Sequence, residues 1–256
     1  MIAILLSAGF ATRMYPITKN CPKALLVIAG KPVLDYLMHQ LVLLPELDSI
    51  FVVTNELFYK EFSDWEKRWS NELKKTGIKI QIINDGATSN DNRLGAIGDM
   101  ALVLKSLKFK EPTIVAACDN IYLFSLRQVI DEFINGGRNI VIALRESTDK
   151  KKGKKGLLEI GKDGRVLRLF EKPTFRSSGW FCPPIYFLQP NALKLVDKYL
   201  DKPYAGDSPG HFTSYLVERE PVYAIKISGK RLDIGTIESY EEAKRILSKE
   251  PVIISS

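Results

Sequence analysis

An apolar run that halts at small residues constrains this chain most: Ile2-Ala-Ile-Leu-Leu6 gives way to Ser7-Ala8-Gly9-Phe10-Ala11-Thr12-Arg13, with Pro22-Lys23 further on. Such a run reads as a buried strand whose C-terminal end opens into a turn. Small side chains there let backbone N–H groups approach a ligand closely, which suits phosphate oxygens. Arg13 adds a planar fork and Lys23 a mobile point charge, the equipment for grasping a nucleoside triphosphate. Two better-known phosphate loops fit poorly. A P-loop needs a Gly-Lys-Ser/Thr ending, which is absent. A dinucleotide fingerprint counted from Gly9 puts Ala11 and Met14 at the later offsets, and Met14 is too bulky for close helix–strand packing. The loop taken alone is also compatible with an ordinary strand-to-helix turn whose cations face water.

The 256-residue chain can bury a large core, and 45% apolar with 26% charged residues is an ordinary globular composition. No stretch of roughly eighteen apolar residues and no basic region followed by a long apolar run occurs, so neither a membrane span nor a signal peptide is expected. Cys21, Cys118 and Cys182 are odd in number and widely spaced, which argues against a disulfide framework or zinc knuckle and for a reducing cytoplasm. His39 and His211 are too far apart in sequence to indicate a His-rich metal site. The net charge of +7 raises the question of nucleic acid. Its densest cluster, Lys150 to Lys155, reads as a solvated loop between strands, and no Arg-rich helix or zinc finger accompanies it. A small anionic substrate explains the excess charge as well.

Apolar runs alternate with helical patterns through the first half, the rhythm of an α/β layer on a mostly parallel sheet. Strands are expected at Ile2–Leu6, Ile50–Val53, Ile78–Ile83, Thr113–Ala117 and Ile140–Leu144. Phe58, Phe62, Trp65, Trp69 and Leu73 recur at the period of one helical face and are assigned to packing. Further helices are expected over Gly98–Leu107 and over Leu126–Phe133, the latter stopping near Gly136-Gly137. Leu157–Ile160, the turn Gly161-Lys162-Asp163-Gly164 and Val166–Phe170 read as a hairpin, so the second half inserts antiparallel structure.

Asp119 follows the strand Thr113–Ala117, at the end where ligands bind in open α/β sheets, and is a candidate Mg²⁺ ligand as well as a candidate turn residue. Asp233, in Arg231-Leu-Asp-Ile-Gly-Thr236, precedes a helix expected from Ile237. Glu171 and Lys172 are neighbours at a strand end and point to opposite faces, so one can meet hydroxyls and the other a phosphate.

Taken in order and spacing, Gly9-Phe-Ala-Thr-Arg13 with Pro22-Lys23, Cys118-Asp-Asn120, Glu171-Lys-Pro173 and Asp233-Ile-Gly-Thr236 resemble the sugar-1-phosphate nucleotidyltransferases. The resemblance runs from Ile2 to the helix after Thr236. It implies a single-domain α/β fold, Rossmann-like, with a mixed, mostly parallel sheet flanked by helices and an antiparallel β substrate lobe. The nucleotide part would span about 1–120 and the sugar-phosphate part about 121–247. It implies transfer of a nucleoside monophosphate from an NTP, UTP or dTTP, to a sugar 1-phosphate, glucose 1-phosphate, with pyrophosphate released and Mg²⁺ as cofactor. Neither nucleic acid nor membrane would be a partner, a homo-oligomer is allowed, and the setting would be cytoplasmic.

By the same resemblance Arg13 holds the β- and γ-phosphates, Lys23 neutralises charge at the α-phosphate, and Asp119 and Asp233 bind the metal. Leu6, Ala8, Gly9, Ala11 and Thr12 line the nucleotide, helped by the turn at Leu94 and Gly95. The polar loop beginning at Asn84 is the candidate for choosing the base. Gly156 and Glu171 contact sugar hydroxyls and Lys172 the sugar phosphate. Three departures stand out. Ala11 and Cys118 occupy positions where the family commonly has glycine, and Pro183-Pro184 stand where it has a threonine- or valine-glycine pair, which removes two N–H donors beside the sugar site. A cytidylyltransferase for an alcohol phosphate and a non-catalytic nucleotide-sugar sensor remain alternatives. The chain after Thr236 is expected to be too short for an appended acyltransferase or β-helical domain.

Overall fold

The computed structural model describes residues 1–107, 111–145, 156–171, 179–202 and 207–249. The Lys150–Lys155 cluster, Lys172 and Pro173 lie outside the described residues. In chain order the described strands are β1 (Ile2–Leu6), β2 (Val27–Ile28), β3 (Lys31–Pro32), β4 (Ser49–Thr54), β5 (Lys79–Asn84), β6 (Thr113–Ala117), β7 (Asn120–Leu123), β8 (Asn139–Arg145), β9 (Gly156–Ile160), β10 (Val166–Phe170), β11 (Trp180–Cys182), β12 (Ile185–Leu188), β13 (Val222–Ile227) and β14 (Lys230–Asp233). The α-helices are α1 (Val33–Leu41), α2 (Tyr59–Glu72), α3 (Gly95–Leu107), α4 (Arg127–Gly136), α5 (Pro190–Leu193), α6 (Leu195–Leu200), α7 (Pro209–Val217) and α8 (Ile237–Lys249). The α/β class expected from the alternating runs is what the chain adopts, with strands expected at Thr113–Ala117 and Val166–Phe170 present at those bounds.

Residue contacts divide the chain into two compact units, neither of them one continuous stretch. The first comprises Met1–Leu94, Ala117–Ser125 and the chain from Lys230. Here β1, β4 and β5 run parallel, with Leu6 opposite Val53 and Thr54 opposite Asn84. Every residue of β1 is buried, as its unbroken apolar sequence requires. The aromatic stripe does pack: Phe58, Phe62, Trp65, Trp69 and Leu73 are all buried, each contributing about 1.5–3 kcal/mol of burial. Beneath it lies Asp35 of α1, whose carboxylate accepts from Trp65 Nε1 at 2.7 Å and Trp69 Nε1 at 3.0 Å and pairs with Arg68 at 2.8 Å. Those three donors are what allow a carboxylate to be buried there.

Outside the parallel strands, β7 and β14 form an antiparallel pair, with Asp233 opposite Asn120. Neither strand stood out in the sequence, because each is short and follows a candidate site residue or a polar turn. A cluster of Met14, Leu26, Ile28, Val33, Tyr36, Ile121, Ile234, Ala243 and Leu247 ties this pair to the loop after β1 and to α8.

The second unit comprises Gly95–Ala116 and Leu126–Gly229. Its strands run in the order β10, β9, β11, β8, β12, β6, neighbours antiparallel, while β13 lies parallel beside β8. The hairpin of β9 and β10 closes through Gly164 at φ 82°, as the Asp-Gly sequence requires. Gly137, at φ 58°, ends α4 in the left-handed conformation. Helix α3 begins at Gly95, three residues ahead of expectation, because Asp207 accepts from the Ala96 N–H at 2.9 Å and so supplies a cap from distant sequence. Among the described residues no helix is long and apolar enough to cross a membrane.

Candidate functional site

In the first unit the loop after β1 borders a pocket of about 120 Å³ lined by Leu6, Ser7, Gly9, Ala11, Lys23, Ala24, Ala117, Cys118 and Asp119. Five residues singled out from sequence, Leu6, Gly9, Ala11, Lys23 and Asp119, thus meet at one cavity. The apolar end of β1 fixes the loop's start through Ser7 N–H, which donates to Val53 O at 2.8 Å. An added Cβ at Gly9 would meet no protein atom within 4 Å, so the space beside it is open to a ligand. Ala11 adopts φ 48° and ψ 38°, the left-handed region where glycine would be unstrained. The hydrogen bonds its carbonyl accepts from Met14 N–H and Thr18 Oγ1, both at 2.9 Å, hold it there. Ala8 is buried, while Thr12 and Arg13 are exposed on the turn that follows.

Lys23 Nζ reaches across to Asp119 Oδ2 at 2.5 Å, both groups largely covered. Asn120 Nδ2 donates to the other oxygen, Oδ1. Burial alone would raise the Asp119 carboxyl, but the charge and hydrogen bond of Lys23, with Arg231 behind them, outweigh it and hold the group below the ordinary carboxylate range. Burial, followed by the Asp119 charge, pushes the Cys118 thiol far up, so this cysteine is a small neutral wall of the pocket.

Asp233 is brought beside Asp119 by the β7–β14 pair: Asp233 faces Asn120, and Ile234 N–H donates to Asp119 O at 2.9 Å. Ile121 and Ile234, each next to or near one aspartate in sequence, are buried in the same cluster and thereby anchor both. Arg231 spans the pair, donating to Asn120 Oδ1 at 2.8 Å and lying 3.8 Å from Asp233 Oδ2. Asp233 keeps its side chain 48% exposed. Two carboxylates with hard oxygen donors and one open face fit Mg²⁺, which is held by one or two carboxylates and completes its shell with water and substrate phosphates. They do not form an all-protein cage, and among the described residues no group of three or more His, Cys, Asp or Glu side chains is arranged for one.

Asn84 ends β5, and its amide is committed within the protein: Oδ1 accepts from Gly86 N–H at 2.9 Å and Nδ2 donates to Glu56. Leu94 is 48% exposed at the edge of the first unit, and Gly95, at φ 77°, opens the second.

Within the second unit Gly156 and Glu171 come together. A Cβ on Gly156 would sit 3.2 Å from Glu171 Oε2 and 3.7 Å from Cys182 Cβ. Two residues that sequence reading missed complete this corner. Ser208 Oγ donates to Glu171 Oε1 at 2.7 Å, and Gly210, in the first turn of α7, has the Glu171 carboxylate where its own side chain would be. Ser208 carries a capping signature, Ser-Pro-Gly ahead of an apolar run, which marks the helix start but not the carboxylate it serves. Pro183 and Pro184 separate β11 from β12 along β8, and Cys182 and Pro183 are buried.

The family described as Nucleotidyl transferase matches residues 2–250. The chain is 26% identical over 234 residues to "Mannose-1-phosphate guanylyltransferase catalytic subunit beta" of Drosophila pseudoobscura pseudoobscura, covering 91% of this chain and 58% of that protein. It is 24% identical over 258 residues to "UTP--glucose-1-phosphate uridylyltransferase" of Synechocystis, covering 98% and 64%. The chain therefore spans somewhat over half the length of such relatives. Its fold matches that of a putative glucose-1-phosphate thymidylyltransferase from Bacillus anthracis with a TM-score of 0.79 at 19% identity, over 96% of this chain and 95% of that one.

Proposed function

The chain belongs to the nucleotidyl transferase family, and from that premise we propose that it joins a nucleoside triphosphate, UTP or dTTP, to glucose 1-phosphate and releases pyrophosphate. The observation that carries this reading is the Lys23–Asp119 pair at the glycine-bearing pocket, with Asp233 on the neighbouring strand. A sugar phosphate is largely dianionic near neutral pH, its second pKa being about 6, so no general base is needed to create the nucleophile. Its oxygen forms a bond to the α-phosphorus as the bond to the β-phosphate oxygen breaks, and the electron pair leaves with pyrophosphate.

The obstacle is repulsion between two anions, and the chain's part is positioning and charge. Arg13 grips the β- and γ-phosphates, Lys23 turns to the α-phosphate, and loop N–H groups take further oxygens. Asp119 and Asp233 hold Mg²⁺, which when bound offsets charge on the reacting phosphates. Glu171, with Gly156 leaving room beside it, takes sugar hydroxyls, and Lys172 takes the sugar phosphate. Free thiols at Cys21, Cys118 and Cys182 accord with work in the cytoplasm.

Pyrophosphate release measured with each of the four common triphosphates against glucose and mannose 1-phosphates tests the reading. Mg²⁺-dependent release with UTP or dTTP and glucose 1-phosphate is expected. Release with GTP and mannose 1-phosphate alone would keep the reaction and replace the substrates, and no release with any pair would overturn both.

A further inference from the structure

The loop after β1 is held by its carbonyls. Asn55 Nδ2 donates to Ala8 O at 2.9 Å, and Thr18 Oγ1 donates to Ala11 O at 2.9 Å. Both side chains are 0% exposed. The Ala11 carbonyl also accepts from Met14 N–H at 2.9 Å, and Met14 is itself fully buried. Across a trans peptide the carbonyl and the following N–H point in opposite directions. Pinning the Ala8 and Ala11 carbonyls toward Asn55 and Thr18 therefore turns the Gly9 and Thr12 N–H groups away from those residues.

Ala11 makes the pin consequential. At φ 48° it occupies a conformation unfavourable for any residue with a Cβ. Such a conformation persists only where the surroundings impose it. Rotation of the Ala11 peptide toward an ordinary conformation would swing the Thr12 N–H with it. Thr18 lies seven residues on, beyond the turn, and its hydroxyl is the one side-chain contact among the described residues that holds this carbonyl.

We infer that Thr18 is a positioning residue: it fixes the Ala11–Thr12 peptide so that the Thr12 N–H is presented to phosphate oxygens of the triphosphate. The identity of that anion rests on the function proposed above, whereas the pinned peptide does not. A hydroxyl that merely satisfied itself on the nearest carbonyl would make the same bond, so the test must read more than stability.

Thr18→Val keeps shape and burial and removes the donor, and Thr18→Ser keeps the donor. In Thr18→Val the KM for the triphosphate should rise about 10-fold, with the KM for sugar phosphate and the melting temperature unchanged, and Thr18→Ser should restore the wild-type value. Exchange of the Met14 amide, whose N–H donates to the same Ala11 carbonyl, should quicken in Thr18→Val and return to normal in Thr18→Ser. An unchanged triphosphate KM, or an equal rise in both KM values together with a lowered melting temperature, would overturn the inference. Should the wild type turn over no substrate pair, the proposed function fails by itself. Hydrogen exchange then decides the pin: unaltered exchange in Thr18→Val refutes it.

Discussion

Replacing Gly210 by alanine would place a methyl group 2.0 Å from Glu171 Oε2 and 2.5 Å from its Cδ, where real Cβ atoms essentially never come within 3.0 Å. Gly210 is buried in the first turn of a helix that packs on β10, so the flexible carboxylate rather than the backbone must give way, by about 1 Å. That shift breaks the 2.7 Å bond from Ser208 and removes Glu171 from its place beside Gly156. A hydrogen bond to a charged group is worth about 1.5–3 kcal/mol, so losing the carboxylate's contact with a sugar hydroxyl corresponds to roughly a 10- to 150-fold rise in KM for the sugar phosphate. Folding stability should hardly move, because alanine is favoured over glycine in a helix by up to about 1 kcal/mol, which offsets the loss of a half-solvated bond. The assay is steady-state pyrophosphate release with each substrate varied in turn, beside thermal melting. An unchanged sugar-phosphate KM in a variant that melts normally would refute the placement of Glu171 at the sugar.

Asp119→Ala should abolish Mg²⁺-dependent pyrophosphate release while the protein still melts cooperatively; turnover near that of the wild type would remove the metal assignment. Because Lys23 and Arg231 hold the Asp119 carboxyl below its ordinary value, its contribution to stability is present above the unfolded-chain value and is lost as pH falls through the depressed one. Denaturation midpoints should therefore decline below pH ~4, and Asp119→Asn should flatten that decline. Asp35→Ala should cost about 3 kcal/mol in urea unfolding, since it leaves the buried Trp65 and Trp69 indole N–H groups without an acceptor. A loss below about 1 kcal/mol would mean that water replaces the carboxylate.

Local patterns carried much of the fold. The unbroken run Ile2–Leu6, the helical spacing of the α2 aromatics and the Asp-Gly turn before β10 each answer to forces acting within a few residues, and each took the expected form. The loop-and-lysine half of the candidate site was readable to the extent that Leu6, Gly9, Ala11, Lys23 and Asp119, singled out along the sequence, line one pocket. What escaped were contacts set by distance along the chain. Helix α3 starts early because Asp207 caps it from 111 residues away, and Gly210 reads as a helix-start glycine until Glu171 is seen against it. Thr18 and Asn55 gave no signal in the sequence, because what sets them apart is burial against loop carbonyls that only the folded chain brings to them. The pair β7–β14 lies in two segments too short to show a period.

Because the first unit is assembled from three separated stretches, that unit cannot be finished until the stretch from Lys230 has left the ribosome. The β1 loop and Lys23 emerge early, Asp119 and the strand Asn120–Leu123 near the middle, and Asp233, whose strand pairs with Asn120–Leu123, late. Until that last stretch arrives, Ile121 lacks the covering that Ile234 and Leu247 provide, and the nascent chain carries an exposed apolar seam. A chaperone that binds such seams during synthesis would engage this chain between the emergence of Ile121 and that of Ile234.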